Sequence, residues 1–367
     1  MKPLFDLSNN NNNNPNGYPL FLGSKLGIMD NVHVTYPQIA ALRDKMISDN
    51  WKWDEISLHK DARDIQDPSL KAATDVMVKN LSFQYVADSV AQASIEILSM
   101  FCSNTEMEGL LKFWAYNEYV HAMSYSEIIK NAFQDPNVLL EESKNFPELL
   151  ERLGVVAQVF EDTRKLGYLY QLDMLPSTVT ESDLRKQIFL FLGALTSLES
   201  ISFATSFAAT FAVGKSSQSF DGIIKIVQLV ARDELETHVK ADLTIIDILR
   251  KGGWEAEYQA VKPQIQLLFD TVLGNEQCWS RYLFSEGRRI VGLNESSIME
   301  YTHHLAAPVY DRLGLTKGFT VPDENPLSWM KDYLDLDNIQ IALQESQNNN
   351  YKVNSVVDDL GDDDLDF

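Results

Sequence analysis

The sequence predicts an all-α fold, a helical bundle with polar metal-binding side chains in its core. Two observations predict it. From about Pro37 to Trp329 apolar residues recur at three- and four-residue spacing in long stretches, and no strand-like alternation lasts long enough to make a sheet. Six side chains of metal-binding type, Asp88, Glu118, His121, Glu199, Glu234 and His238, each fall in one of those helix-like stretches.

Taken in order, the chain opens with an Asn9 to Asn14 run followed by Pro15 and Gly17, so residues 1–36 are expected to be a partly disordered arm. The helical body is expected over residues 37–343. It is punctuated by breakers at Asp135-Pro136, Leu175-Pro176, Gly252-Gly253 and Val321-Pro322. No internal repeat of fixed period is present, although the two metal-ligand halves echo each other loosely. Residues 344–367 turn polar, with Asn348 to Asn350, then Tyr351, then an acidic end tipped by Leu365 and Phe367. That segment is expected to be a flexible acidic tail.

The 367 residues allow one large domain or two small ones with a substantial core. A formal net charge of −22 argues against nucleic acid or an anionic membrane as partner. Cys102 and Cys278 are far apart and neither belongs to a Cys-x-x-Cys pair, which disfavours disulfide scaffolds and zinc ribbons. The N-terminus shows no charged stretch followed by an apolar core, so no secretory signal is expected and a reduced, cytoplasmic compartment fits best.

Metal chemistry follows from spacing. Glu118 and His121 are three positions apart and Glu234 and His238 four apart, so each pair lies on one helix face and both members can reach an ion in a bundle core. Single carboxylates from two further helices, Asp88 and Glu199, can bridge two ions. A lone Glu-x-x-His is common and usually faces water, but Glu199 is the only charged residue between Ile188 and Val213. A carboxylate there costs several kcal/mol unless it is neutralised, paired or metal-bound. The same stretch is long enough to cross a membrane, but no second span accompanies it, and it reads better as the central buried helix of a soluble bundle.

These residues carry a family resemblance. Asn80-Leu81-Ser82-Phe83-Gln84 leading to Asp88, Trp114-Ala115-Tyr116-Asn117-Glu118 leading to His121 and Tyr125, Ser197-Leu198-Glu199 with Phe203 and Phe207, and Val230-Ala231-Arg232-Asp233-Glu234 are together highly specific. From roughly Trp51 onward the chain resembles the small, beta subunit of class I ribonucleotide reductase. The resemblance implies a ferritin-like bundle, a homodimer, and a dinuclear iron or manganese site that reacts with an oxygen species to oxidise a nearby tyrosine. It identifies Tyr125, one turn beyond His121, as the radical, with Phe203, Phe207 and Val230 as its apolar shield. It further implies a relay to a separate large, alpha subunit, in which ribonucleotides become deoxyribonucleotides. Trp51, rather than the competing Trp53, matches the relay tryptophan, Asp233 would accept hydrogen bonds from His121 and the Trp51 indole, and Tyr351 matches the tyrosine of a tail that binds the large subunit. No Gly-rich phosphate loop is present, in keeping with a substrate bound elsewhere.

One departure stands out. The family's second pair is Glu-x-x-His, whereas here Glu234-Leu235-Glu236-Thr237-His238 contains an extra residue. A single π-turn could absorb it, leaving Glu234 and His238 as ligands and Glu236 as a bystander. The rival readings are a diiron oxidase or hydroxylase acting on its own small substrate, and a ferritin-like metal-storage protein. Neither has a use for Tyr351 in an acidic tail, or for Trp51 and Asp233 beside Tyr125.

Overall fold

A computed structural model describes residues 19–24, 28–137, 140–141 and 147–334. Among them the chain is helical, with no strand beyond isolated bridges at Phe21–Cys102 and Ile290–Leu293. The helices are α1 (Pro37–Ser48), α2 (His59–Gln66), α3 (Lys71–Ser99), α4 (Thr105–Ala132) and α5 (Pro147–Gln171). Then come α6 (Glu181–Ser197), α7 (Ala204–Ser217), α8 (Asp221–Asp233), α9 (Val239–Leu249), α10 (Glu255–Leu283), α11 (Glu295–Leu313) and the short α12 (Lys331–Leu334). Three π-helical segments join neighbours: Leu198–Phe203 links α6 to α7, Glu234–His238 links α8 to α9, and Arg250–Trp254 links α9 to α10.

The functional core lies among four helical rods. α3 packs along α4 and against α7, α8 packs on α7 and α4, and the first two π segments meet each other. α10 lies across α5 and α6, α11 covers α7 and α10, and α1 lies on α4. The rod from Glu181 to Ser217 is apolar and long enough to cross a membrane, yet 94% of its most apolar window is buried within the bundle. Its hydrophobic surface is consumed by protein neighbours, as the sequence reading of a central core helix requires.

Local chemistry sets where the rods begin. The Asn104 side chain accepts from the Met107 amide to cap α4, and Thr180 and Asp183 form a capping box on α6. α8 borrows its cap from another helix: Asp61 of α2 accepts from the amides of Gly222 and Ile223 at 3.1 and 2.9 Å. Gly222 permits that approach, since a Cβ there would lie 2.5 Å from Asp61 Oδ2. The expected break at Gly252-Gly253 is a kink rather than a separation, with Gly253 at φ 100° inside the third π segment. Ahead of α1, Leu20 and Phe21 are buried, and Leu22 donates its amide to the Phe101 carbonyl at 2.9 Å, so the apolar end of the arm is tied to the bundle.

Candidate metal centre

Each of the four rods brings one part of the cluster. Asp88 comes from α3, Glu118 and His121 from α4, Glu199 from the Leu198–Phe203 π segment, and Glu234 and His238 from the Glu234–His238 π segment. All six side chains are fully buried. Ligand atoms of Glu118, His121, Glu234 and His238 lie within 4.8 Å of one another. His121 Nδ1 stands 3.0 Å from Glu234 Oε1 and 3.5 Å from Asp88 Oδ1, and His238 Nδ1 stands 3.2 Å from both Glu118 Oε1 and Glu234 Oε2. Glu199 faces the Asp242 carboxylate and lies within the field of Glu234 and Glu118.

The inserted residue is accommodated by local rewinding. Glu234–His238 forms a π turn, in which residues four apart are brought to one face, and Glu236 turns outward to pair with Lys240. Glu234 and His238 stay buried in the bundle while the extra carboxylate reaches solvent.

The electrostatics show what the cluster is suited to hold. Burial raises the pKa of Asp88, with only partial relief from His121, and burial and then the Asp242 charge raise that of Glu199. Burial would lower both histidines, but carboxylate neighbours win: His121 is raised well above its ordinary value and His238 to about 10. Against burial, the two imidazoles hold Glu118 down at about 2. Both oxygens of Asp88 and of Glu199, Oε1 of Glu234, Oε2 of Glu118 and Nδ1 of His121 make no well-aligned hydrogen bond among the described residues, and face one another across the cluster instead. So many inward-facing donors of electron pairs in a dry core fit a pair of cations. Four carboxylates also match the charge of two divalent ions.

Around the cluster a second set of contacts fixes it. Asp233 Oδ2 receives the Trp51 indole at 2.8 Å and lies 3.2 Å from His121 Nε2, which leaves Nδ1 of that ring toward the carboxylates. Arg232 holds the other Asp233 oxygen at 2.8 Å. Trp51 is buried and stacks on His121 at 6.2 Å, whereas Trp53 is only half-buried and meets Tyr119 edge-on. Tyr125 is fully buried, its hydroxyl has no partner among the described residues, and burial followed by the Asp88 charge pushes its pKa well above 10.0. Phe203, Phe207 and Val230 are fully buried as well. Tyr351 and the rest of the tail lie outside the described residues.

Two neighbours escape the sequence reading. Trp114 donates its indole N–H to Glu118 Oε1 at 3.2 Å and packs on His238, and Asp242 is a further buried carboxylate at the cluster, accepting from the Thr196 hydroxyl at 3.1 Å. Both were available as signals: Trp114 lies one turn before Glu118, and Asp242 one turn after His238. Trp114 entered the sequence reading only as the first residue of the Trp114-to-Glu118 run, with no role of its own, and an isolated Asp such as Asp242 carries no motif.

With this geometry established, comparison with known proteins decides the family. Residues 29–326 match the family model described as ribonucleotide reductase, small chain. The chain belongs to that family. The beta subunit of ribonucleoside-diphosphate reductase from Haemophilus influenzae is 27% identical over 361 residues, covering 95% of each chain. That of bacteriophage T4 is 27% identical, covering 94% of each. Among solved structures, the ribonucleotide reductase R2 subunit from Clostridium botulinum superposes with a TM-score of 0.73 at 20% identity, over 86% of this chain and 94% of that one. The dimanganese(II)-NrdF of Streptococcus sanguinis gives a TM-score of 0.67 at 16% identity, over 83% and 98%. As a family member the chain is the small, beta component of a class I ribonucleoside-diphosphate reductase, an oxidoreductase, and its all-α bundle is of the ferritin-like kind. Family membership supports this reading over the stand-alone oxidase and metal-storage readings.

Proposed function

We propose that Asp88, Glu118, His121, Glu199, Glu234 and His238 bind a dinuclear iron or manganese centre, and that Tyr125 stores the oxidising equivalent made there as a tyrosyl radical. The observation that carries this reading is Tyr125 itself, a buried phenol beside the cluster whose hydroxyl is committed to nothing else. Bound iron or manganese would supply the one-electron chemistry with an oxygen species that redox-inert zinc lacks.

The chain's own residues perform the remaining work. Burial and the nearby carboxylates keep Tyr125 a neutral phenol, so its oxidation must release a proton together with the electron. Asp88 is the carboxylate whose charge acts most strongly on Tyr125. The buried rings of Phe203 and Phe207 and the Val230 side chain keep water and reductants away. Asp233 Oδ2, shared by Trp51 and His121, links the cluster to the Trp51 indole through hydrogen bonds.

In this reading the hole travels through Trp51 and then Tyr351 to a separate large subunit, docked by the acidic tail. The beta subunit acts as a homodimer, and α4 offers a face for a second copy: Phe113, Tyr116 and Tyr119 recur at three-residue spacing and are 38, 39 and 42% exposed. A cytoplasmic setting accords with neither Cys102 nor Cys278 being in a disulfide.

Electron paramagnetic resonance on the full chain supplied with ferrous iron, or manganese, and oxygen tests the proposal. A tyrosyl signal is expected in the wild type, and Tyr125→Phe should keep its metal content and lose the signal. A wild-type signal in Tyr125→Phe would move the radical to another tyrosine.

A further inference from the structure

Beside the first π segment lies a buried ion pair that the chemistry above does not use. Arg152 of α5 and Glu276 of α10 are both buried, and their contact is a bidentate fork: Nε to Oε1 at 2.7 Å and Nη2 to Oε2 at 2.6 Å. The guanidinium sits 3.5 Å from the centre of the Phe83 ring and 4.6 Å from that of Trp279. Its Nη2 also donates to the main-chain carbonyl of Ser202 at 2.9 Å. Ser202 belongs to the Leu198–Phe203 π segment, between Glu199 and Phe203.

Stability alone does not explain such a pair. Two well-packed apolar side chains of similar volume would commonly serve a core as well or better, since desolvating both charges offsets most of their attraction. What the fork adds is direction. Bidentate contact with Glu276 and stacking on two rings fix the guanidinium plane, so its remaining contact reaches the Ser202 carbonyl in only one winding of the segment. A π turn is one residue wider than an α turn, and relaxing it would rotate Glu199 relative to α7 by about a residue's worth of helix, roughly 100°. Phe203 would move too, and it packs on Phe83, the ring that the guanidinium covers, at 6.1 Å.

We propose that the Arg152–Glu276 pair locks the winding of the Leu198–Phe203 segment, holding Glu199 toward the metal cluster from outside it. Arg152 and Glu276 are positioning residues, with Ser202 as their point of contact. The inference rests on Glu199 being a metal ligand, as proposed above.

Manganese(II) alone is the probe, with bound and free ion measured by electron paramagnetic resonance on the full chain and no turnover required. The wild type should bind a coupled pair of ions; a wild type that does not would defeat the ligand assignment rather than the lock. The double variant Arg152→Met/Glu276→Leu should keep the wild-type melting temperature within a few degrees. It should bind the second ion about tenfold or more weakly, the scale on which residues supporting a ligand act, and lose the coupled-pair spectrum. Arg152→Lys, which keeps the charge but not the fork, should show the same spectral loss and decides the matter if the double variant does not fold. A folded double variant with wild-type affinity and spectrum overturns the lock. So does failure of both variants to fold, which would make the pair a folding requirement only.

Discussion

At the scale of single residues, the cluster is a set of charges that only cations or protons can reconcile. Without a bound cation the balance falls to protons, held on His121 and on His238, whose pKa is raised from 6.5 to about 10. These histidines stabilise the chelator-stripped fold fully below pH 6.5, and that contribution is lost as the pH rises toward 10. Asp88, Glu199 and Asp242, all raised by burial, act in the same direction. The melting temperature of stripped protein should therefore fall between pH 6.5 and 10, while that of loaded protein stays comparatively flat. Metal addition in weak buffer at neutral pH should release protons. A stripped protein that gains stability over that range would contradict the charge assignment. A second comparison separates ligand from bystander: His238→Ala should lower metal content strongly, with a penalty on the 10- to 100-fold scale or beyond. Glu236→Ala, removing an exposed carboxylate, should leave metal content unchanged.

At the scale of elements, two π segments bring Glu199, Glu234 and His238 to the cluster. The Glu234–His238 turn absorbs one residue between α8 and α9, and the residue it turns outward is Glu236. Deleting Glu236 should let the segment rewind as α-helix, restoring Glu-x-x-His with neither flank displaced. We expect that variant to fold with near-native helicity by circular dichroism and to retain metal by elemental analysis. Loss of the fold would mean that the π turn is required in its own right. The position of α8 depends on a contact remote in sequence, because Asp61 of α2 supplies its N-terminal cap, and buried caps of this kind contribute about 0.5–2 kcal/mol.

At the scale of the whole molecule, the proposal has the beta component store oxidising power that is used elsewhere. Tyr351, Leu365 and Phe367 are the residues on which that transfer is proposed to depend. Removing residues 351–367 should spare the metal centre and the Tyr125 signal but abolish association with the large subunit and deoxyribonucleotide formation. Tyr351→Phe should keep association, because Leu365 and Phe367 remain as apolar anchors, and still stop turnover, because phenylalanine is not oxidised at potentials that a tyrosine relay uses. Normal ribonucleotide reduction by Tyr351→Phe with its cognate large subunit would remove Tyr351 from the relay.

Sequence by itself determined the helical class, because apolar spacing over nearly 300 residues has one period, and it nominated Asp88, Glu118, His121, Glu199, Glu234 and His238, because ligand pairs three or four apart share a helix face. It also pointed to a π turn, since an inserted residue inside a buried helix has few other ways to be absorbed. The resemblance had already matched Trp51 rather than Trp53 to Asp233, and the tertiary structure makes that contact at 2.8 Å across 182 residues of chain. Only the tertiary structure brought in Trp114 and Asp242 at the cluster, Asp61 as the cap of α8, and the Arg152–Glu276 fork against Ser202. The reason is physical: periodicity reports which way a side chain faces from its own helix, but which residues of other helices wait there is set by how the rods pack.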